Sequence, residues 1–403
     1  MKLPLVLHPL RNRDFRLLWT GQTVSIFGNF LHQVAIPFQL LALGASPIQL
    51  GIGASIGTAM ALVLFLFAGA IVDRVPRRRV ILTCDLLSGI VVLTIALLSL
   101  TGHLRIEHIY IEAAFFGATS AFFMPAMGAI IPELVPADIL VQGNTLRSFS
   151  RQGARLTGPV IGGLIVASAG PGWAFLADSL TFFVSFLVLL AASSTRSVPA
   201  PRQPILREIR EGVAFTFSLP WLWITILVFA FANATYAGPL IVAMPLYVRN
   251  VLLADAGVFG LINASNGVGE IIGGILLGQL RLRRIGIAMY VAAAFGSLWL
   301  AMYGLVPIYP LLLLYGVGLG MGFIGFGVLW DTAVQRHVPR ALLGRVGSVD
   351  GFGSILLLPL APLAAGALVE RVGPAAVLAG GGLLSTALCV FPLLIPSIRQ
   401  LRA

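Results

Sequence analysis

Three groups of polar residues interrupt otherwise apolar stretches of this 403-residue chain, and each could handle protons or a polar ligand. The first stretch carries Gln22, Ser25, Asn29, His32 and Gln33. Positions 22, 25, 29 and 33 recur every three or four residues, so they share one face of a helix. That face reads either as the wall of a polar cavity or as a strip bonded to neighbouring helices. A later stretch places Asn263, Asn266 and Glu270 at i, i+3 and i+7. A carboxylate in the middle of such a stretch can take up and release a proton, which makes Glu270 the first choice for proton coupling. The third group is Glu112 with Arg155, on two nearby stretches, where they can act alone or hold each other as a pair. Arg147, Arg151 and Arg155 are spaced by four and form one basic stripe. Its first two members suit Glu133, Asp138 or lipid phosphate.

Other chemistry is missing. No G-x-x-x-x-G-K-[ST] loop is present to cradle a nucleotide. The five histidines, His8, His32, His103, His108 and His337, are scattered, and no serine, histidine and acid form a plausible catalytic array. Cys84 and Cys389 are too far apart in sequence for a metal motif or a disulfide framework. We therefore expect no enzyme activity, no metal and no cofactor.

The elements that must position these residues are membrane helices. Hydrophobic residues make up 58% of the chain and charged residues 10%, against roughly 25% charged in soluble domains. Mean hydropathy is +0.97. A helix needs about 20 apolar residues to cross a bilayer. Twelve stretches qualify, near 15–41, 47–72, 80–101, 106–131, 141–168, 173–194, 221–247, 257–280, 285–305, 309–335, 346–370 and 374–397. The 45 glycines and 24 prolines are tolerable in such helices, where neighbours satisfy the backbone. No cleavable signal precedes the first of them. The formal charge of +11 is distributed by side. With alternate loops on opposite sides, only Arg105, Arg249 and Arg371 fall opposite the termini. The positive-inside rule then puts both termini in the cytoplasm. The basic balance is a topology signal and implies no nucleic-acid partner.

The chain also repeats itself. Val135-Pro136 matches Val338-Pro339 at an offset of 203, as do Gly170-Pro171 with Gly373-Pro374, Pro159 with Pro362, and Gly163 with Gly366. Earlier in each half, Leu50-Gly51 resembles Phe259-Gly260 and Gly69 matches Gly278, at an offset of 209. The expected plan is an all-α membrane protein with twelve transmembrane helices in two pseudo-symmetric six-helix bundles, 1–194 and 221–403. Residues 195–220 join them as a cytoplasmic linker with a short amphipathic helix.

Two motifs make the resemblance specific. Gly69-Ala70-Ile71-Val72-Asp73-Arg74-Val75-Pro76-Arg77-Arg78-Arg79 resembles the loop 2–3 signature of the major facilitator superfamily, G-x-x-x-D-R/K-x-G-R-R/K, with Pro76 in place of glycine. Gly158-Pro159-Val160-Ile161-Gly162-Gly163 is similar to the family's antiporter motif, with Ala154 where an upstream glycine usually stands. Phe123-Met124-Pro125-Ala126, Pro132-Glu133-Leu134-Val135-Pro136, Asn144, Val338-Pro339 and Leu343-Gly344-Arg345-Val346 resemble the exporter branch that includes macrolide-efflux and enterobactin-exporter proteins. The family's helix 4 arginine is absent, and Glu112 and Gly117 stand in that helix instead.

The resemblance implies export of a small amphiphilic compound, drug or siderophore-like, by proton antiport through alternating access. It implies a monomer in the bacterial inner membrane, with protons and lipid as its other partners. A lipid or lysolipid flippase or a solute importer of the same fold is the alternative, and a non-transporting membrane sensor is an alternative of another class. The implied cavity residues are Gln22, Asn29, His32, Gln33, Asn233, Tyr236, Asn263, Asn266 and Phe326. Proton coupling falls to Glu270, Glu112 and Arg155. Gating falls to Gly69, Asp73, Arg74, Arg77, Arg78, Gly158, Pro159 and Arg345. Asp73 would meet the N-terminus of helix 11, where the helix dipole favours an anion by ~0.3–1 kcal/mol. Asp85, Asp331 and Asp350 read as further partners for cytoplasmic arginines. Phe231, Tyr236, Phe323, Phe326 and Trp330 line an apolar pocket or face lipid.

Overall fold

The computed structural model describes residues 5–72, 74–193, 205–280 and 282–402. They are helical throughout, and no strand occurs among the described residues. The spans are α1 (Arg13–Ala42), α2 (Pro47–Val72), α3 (Arg77–Leu100), α4 (Ile106–Leu134), α5 (Leu140–Ala169) and α6 (Pro171–Leu190). A short helix, α7 (Ile205–Ser218), follows. Then come α8 (Pro220–Gly238), which runs through a π-turn at Pro239–Ala243 into α9 (Met244–Asn250), α10 (Ala256–Gln279), α11 (Ile285–Leu305) and α12 (Leu312–His337). The chain closes with α13 (Leu343–Ile355), α14 (Ala361–Val372) and α15 (Pro374–Val390). Counting α8 with α9 and α13 with α14 as one crossing each gives the twelve-helix plan.

Ten of these helices are long and apolar enough to cross a membrane by length and composition. The two that fall short do so for different reasons. α5 has the length but carries the arginine stripe. The stretch expected as one helix over 346–370 is instead broken into α13 and α14. Pro359 and Pro362 stand at the break, where proline lacks an N–H and disfavours a helical residue before it.

Local chemistry explains several boundaries. Asn12 caps α1: its side chain accepts from the backbone N–H of Asp14 at 2.9 Å and of Phe15 at 3.1 Å. The repeat reappears as backbone geometry. Gly170 ends α5 with φ +92° and Gly373 ends α14 with φ +81°, each followed by a proline that opens the next helix. A side chain would be strained at that φ, so glycine before proline makes the same sharp corner in both halves.

The chain divides into two compact units. Unit 1 holds residues 1–45, 56–200 and 254–261, and unit 2 holds 46–55, 201–253 and 262–403. Unit 1 is built on Phe15, Leu18, Ile81, Ile130 and Ile131, and unit 2 on Trp221, Leu222, Met289, Tyr290 and Trp330. Large apolar side chains such as Ile111, Leu164, Leu187, Leu227 and Leu314 stand exposed on helix surfaces. In water such surface would be a liability, whereas in a bilayer it is the face that lipid covers.

Candidate functional site

The unit 1 site is centred on His32, where α1, α4 and α6 meet. His32 Nε2 stands 3.2 Å from Glu112 Oε1, and Nδ1 stands 3.1 Å from Asp178 Oδ2. Relative exposures of 6%, 2% and 0% for His32, Glu112 and Asp178 mark all three as buried. The Phe116 ring lies flat on the imidazole at 5.3 Å, and Phe175 tilts across it at 5.2 Å. The Thr181 hydroxyl donates to the Asp178 backbone carbonyl at 2.7 Å and lies 3.4 Å from Asp178 Oδ1. Gly28, one turn before His32, leaves the room this needs. A methyl group there would collide with Thr181 Oγ1 and Asp178 Oδ1.

The arrangement has a clear chemical meaning. An imidazole can donate to two carboxylates only when both ring nitrogens carry a proton. Held this way the array is one cation between two anions, and a neutral imidazole fits the same distances when one of the acids carries a proton and donates it to the ring. Buried acids in a membrane are costly unless paired, and here both share one partner.

A second buried cluster lies further along α1 and α6, where α3 meets them. Gln22 Nε2 donates to Asp85 Oδ2 at 3.1 Å and to Ser185 Oγ at 2.9 Å, and Ser185 Oγ donates to Asp85 Oδ2 at 2.7 Å. Asp85 thus meets an amide and a hydroxyl inside unit 1, not the arginines expected for it.

The polar face of α1 is therefore not one cavity wall. Gln22, Ser25 and His32 are buried, Asn29 is half-buried, and only Gln33 is exposed. Gln22 and His32 instead bond neighbouring helices, the other reading open to that spacing. Glu112 takes His32 as its partner in place of Arg155, which sits half-buried on α5.

In unit 2, Glu270 is buried on α10, with Asn263 and Asn266 half-buried before it. The backbone of Gly320 on α12 approaches the Asn266 carbonyl. Asn233 Nδ2 donates to the Ser354 carbonyl at 3.0 Å. Tyr236 stacks with Phe323 at 6.3 Å, and Phe326 lies between Phe229 at 3.7 Å and Trp330 at 6.1 Å. Phe231 and Phe323 are exposed. Trp330 is buried rather than lipid-facing, and its indole Nε1 donates to Asp350 Oδ2 at 2.8 Å, with Ser354 Oγ on Oδ1 at 2.9 Å. Asp350 is thus held by an indole and a hydroxyl in place of an arginine. Trp330→Phe should remove that donor and cost about 1–3 kcal/mol, measured as earlier thermal unfolding in detergent.

The gating candidates are dispersed. Arg77 pairs with Glu133 at 3.3 Å, a partner expected for the α5 arginines. Arg78 caps the end of α6, donating to the carbonyls of Leu189 at 3.1 Å and Leu190 at 2.7 Å. Arg74 is exposed. Arg345 pairs with Glu211 on α7. Gly158 faces Phe30 on α1, and the Pro159 carbonyl faces Gly260 on α10. Gly69 lies in α2, and Asp73 lies outside the described residues.

Sequence reasoning named His32 and Glu112 but gave no role to Asp178, Thr181 or Gly28. A signal was present. His32 stands 10 residues before the end of α1, Glu112 stands 6 after the start of α4, and Asp178 stands 7 after the start of α6. Those helix ends share one side of an up-and-down bundle, so the three lie at similar depth.

Comparison with known proteins agrees with this architecture. A family described as transmembrane secretion effector matches residues 5–399. The enterobactin exporter EntS of Citrobacter koseri is 26% identical over 402 residues, covering 96% of this chain and 93% of that protein. EntS of Escherichia coli O81 is 26% identical over 384 residues, covering 92% and 89%. Among solved structures, a bacterial homologue of the iron transporter ferroportin superposes with TM-score 0.74 at 15% identity, covering 94% of this chain and 98% of that one. The nucleoside transporter NupG superposes with TM-score 0.74 at 11% identity, covering 94% and 98%. Fold, spans and family match together make the chain a multi-pass membrane transporter that belongs to the transmembrane secretion effector family of the major facilitator superfamily.

Proposed function

We propose that this transporter exports a small amphiphilic compound, drug or siderophore-like, by proton antiport through alternating access. The similarity to enterobactin exporters along nearly the whole chain carries the export reading. Proton coupling draws support from Glu112 and Glu270, two carboxylates buried within membrane-spanning helices. The aromatic stack of Phe229, Phe326 and Trp330 suits the apolar part of such a substrate.

In this reading the two pseudo-symmetric bundles, 1–194 and 221–403, rock about the site and 195–220 links them on the cytoplasmic side. Both termini face the cytoplasm, and the protein is a monomer in the bacterial inner membrane. Asp73 with Arg74, Arg77 and Arg78 gates the cytoplasmic side, and Arg345 joins them.

Purified protein in liposomes with an imposed pH gradient tests the reading. Internal pH is followed while macrolides, enterobactin and lipophilic cationic dyes are added. Substrate-induced proton movement is expected, and its absence with every compound would favour a flippase or uniporter. Asp73→Asn should abolish transport while leaving expression and substrate binding intact. Normal transport in that variant would refute the gate assignment.

A further inference from the structure

We infer that His32, Glu112 and Asp178 act as one proton-exchanging centre, in which Glu112 takes up and releases the proton while Asp178 and His32 hold the geometry. The inference rests on the proton-antiport reading and gives it an address. The two acids are not equivalent. Asp178 lies beside the Thr181 hydroxyl on its own helix and fits under Gly28. Among the described residues Glu112 has His32 as its one ion-pair partner. Among the same residues Asp178 thus has two donors beside it, His32 and Thr181, and Glu112 has one.

The proton balance is simple. With His32 doubly protonated and both acids ionised, the three side chains carry one net negative charge. One proton from the water on one side forms an O–H bond on Glu112, and the centre becomes neutral. The attraction between His32 Nε2–H and Glu112 falls from an ion pair to a hydrogen bond with a neutral acid. The pair of His32 with Asp178 stays. On the return step Glu112 loses the same proton to the other side.

The change lands where it can move a helix. α1 packs along α6 and α5 over much of its length but touches α4 only sparsely. The His32–Glu112 pair is therefore a principal tie between α1 and α4, and protonation loosens it. The α1–α6 tie through Asp178 is unaffected. Other charges nearby are few. α3 supplies Asp85, occupied by Gln22 and Ser185 some ten residues away along α1, roughly 15 Å at helical rise. α5 supplies Arg147, Arg151 and Arg155, of which Arg155 is closest in level, one turn before the Gly158–Phe30 contact. α2 approaches α4 at Gly57 and Gly117 and carries no charged residue over Pro47–Val72.

The test needs no transported substrate. Full-length protein in phosphatidylethanolamine–phosphatidylglycerol vesicles is titrated with acid while the infrared carboxyl C=O band is followed. The wild type should show a buried carboxyl band that grows as pH falls. Glu112→Gln should remove one component of it, leaving the contribution of the other buried acids such as Glu270 and Asp85. His32→Gln and the near-isosteric Asp178→Asn should each move the midpoint of that component by at least about one pH unit, a tenfold change in proton affinity. Should His32→Gln fail to fold, Asp178→Asn carries the test alone. A band whose amplitude is unchanged in Glu112→Gln, or a midpoint of the Glu112 component unmoved by Asp178→Asn, would overturn the centre. The same vesicles under a pH gradient, with enterobactin and rhodamine 6G as probes, separate the two ideas. A component lost in Glu112→Gln with no proton movement for either probe keeps the centre and counts against antiport. Proton movement that Glu112→Gln leaves unchanged keeps antiport and removes the centre.

Discussion

Gly260→Leu is expected to reduce transport at least about tenfold while the protein still reaches the membrane. Gly260 opens α10 against α5, and even a methyl group there would run into the backbone carbonyl of Pro159. A backbone atom cannot swing aside as a side-chain tip can. Overpacking of this kind costs about 1–3 kcal/mol, and 1.4 kcal/mol is already tenfold in an equilibrium. Helix propensity works the other way, since leaving glycine gains up to about 1 kcal/mol, so the collision decides the sign. Gly163 on α5 closes the same joint against the Ala256 carbonyl. Unit 2 has the repeat-related version, with Gly51 on α2 against the Pro362 carbonyl and Gly366 against Pro47. Gly51→Leu should therefore behave like Gly260→Leu. Gly274, on the same helix as Gly260, has open space around it, and Gly274→Leu should transport normally. Vesicle transport normalised to protein content measures all three, and equal activity of Gly260→Leu and Gly274→Leu would discount the joint.

The second large effect is Gly28→Ala. Its methyl would sit on Thr181 Oγ1 and Asp178 Oδ1, pushing the Asp178 carboxylate away from His32. The cost combines overpacking of about 1–3 kcal/mol with a similar amount for a buried polar group losing its partner. Against this stands a propensity gain of about 1 kcal/mol. A net destabilisation of roughly 1–5 kcal/mol should appear as earlier thermal unfolding in detergent. Thr181→Ala removes one of the two colliding atoms. Gly28→Ala combined with Thr181→Ala should therefore recover part of the loss, a coupling that independent sites do not show. Simple additivity of the two changes would place Gly28 outside the His32 site.

Much of the architecture was legible in the sequence. The apolar stretches located the spans because a bilayer demands long helices with satisfied backbones. Matching Gly-Pro pairs at 170–171 and 373–374 announced the repeat, because a positive φ before a helix start needs that dipeptide. A short helix lies at Ile205–Ser218.

The site was legible only in part. Spacing on α1 placed Gln22, Ser25 and Asn29 on one face, yet a period says nothing about which helix that face meets. The sequence offered Glu112 either no partner or Arg155, and only the packing of α1 beside α4 and α6 gave it His32. Asp85 looked like an arginine partner near a loop, but the meeting of α3 with α6 and α1 gave it Ser185 and Gln22. Trp330 could line a pocket or face lipid on sequence alone, and α13 brought Asp350 to its indole. Spans, repeat and family follow from local hydrophobicity, backbone geometry and motif spacing, which the chain carries along its length. The pairing of buried charges follows from which helix faces touch, and that is decided only when close packing brings residues more than a hundred positions apart, such as His32 and Asp178, within hydrogen-bond reach.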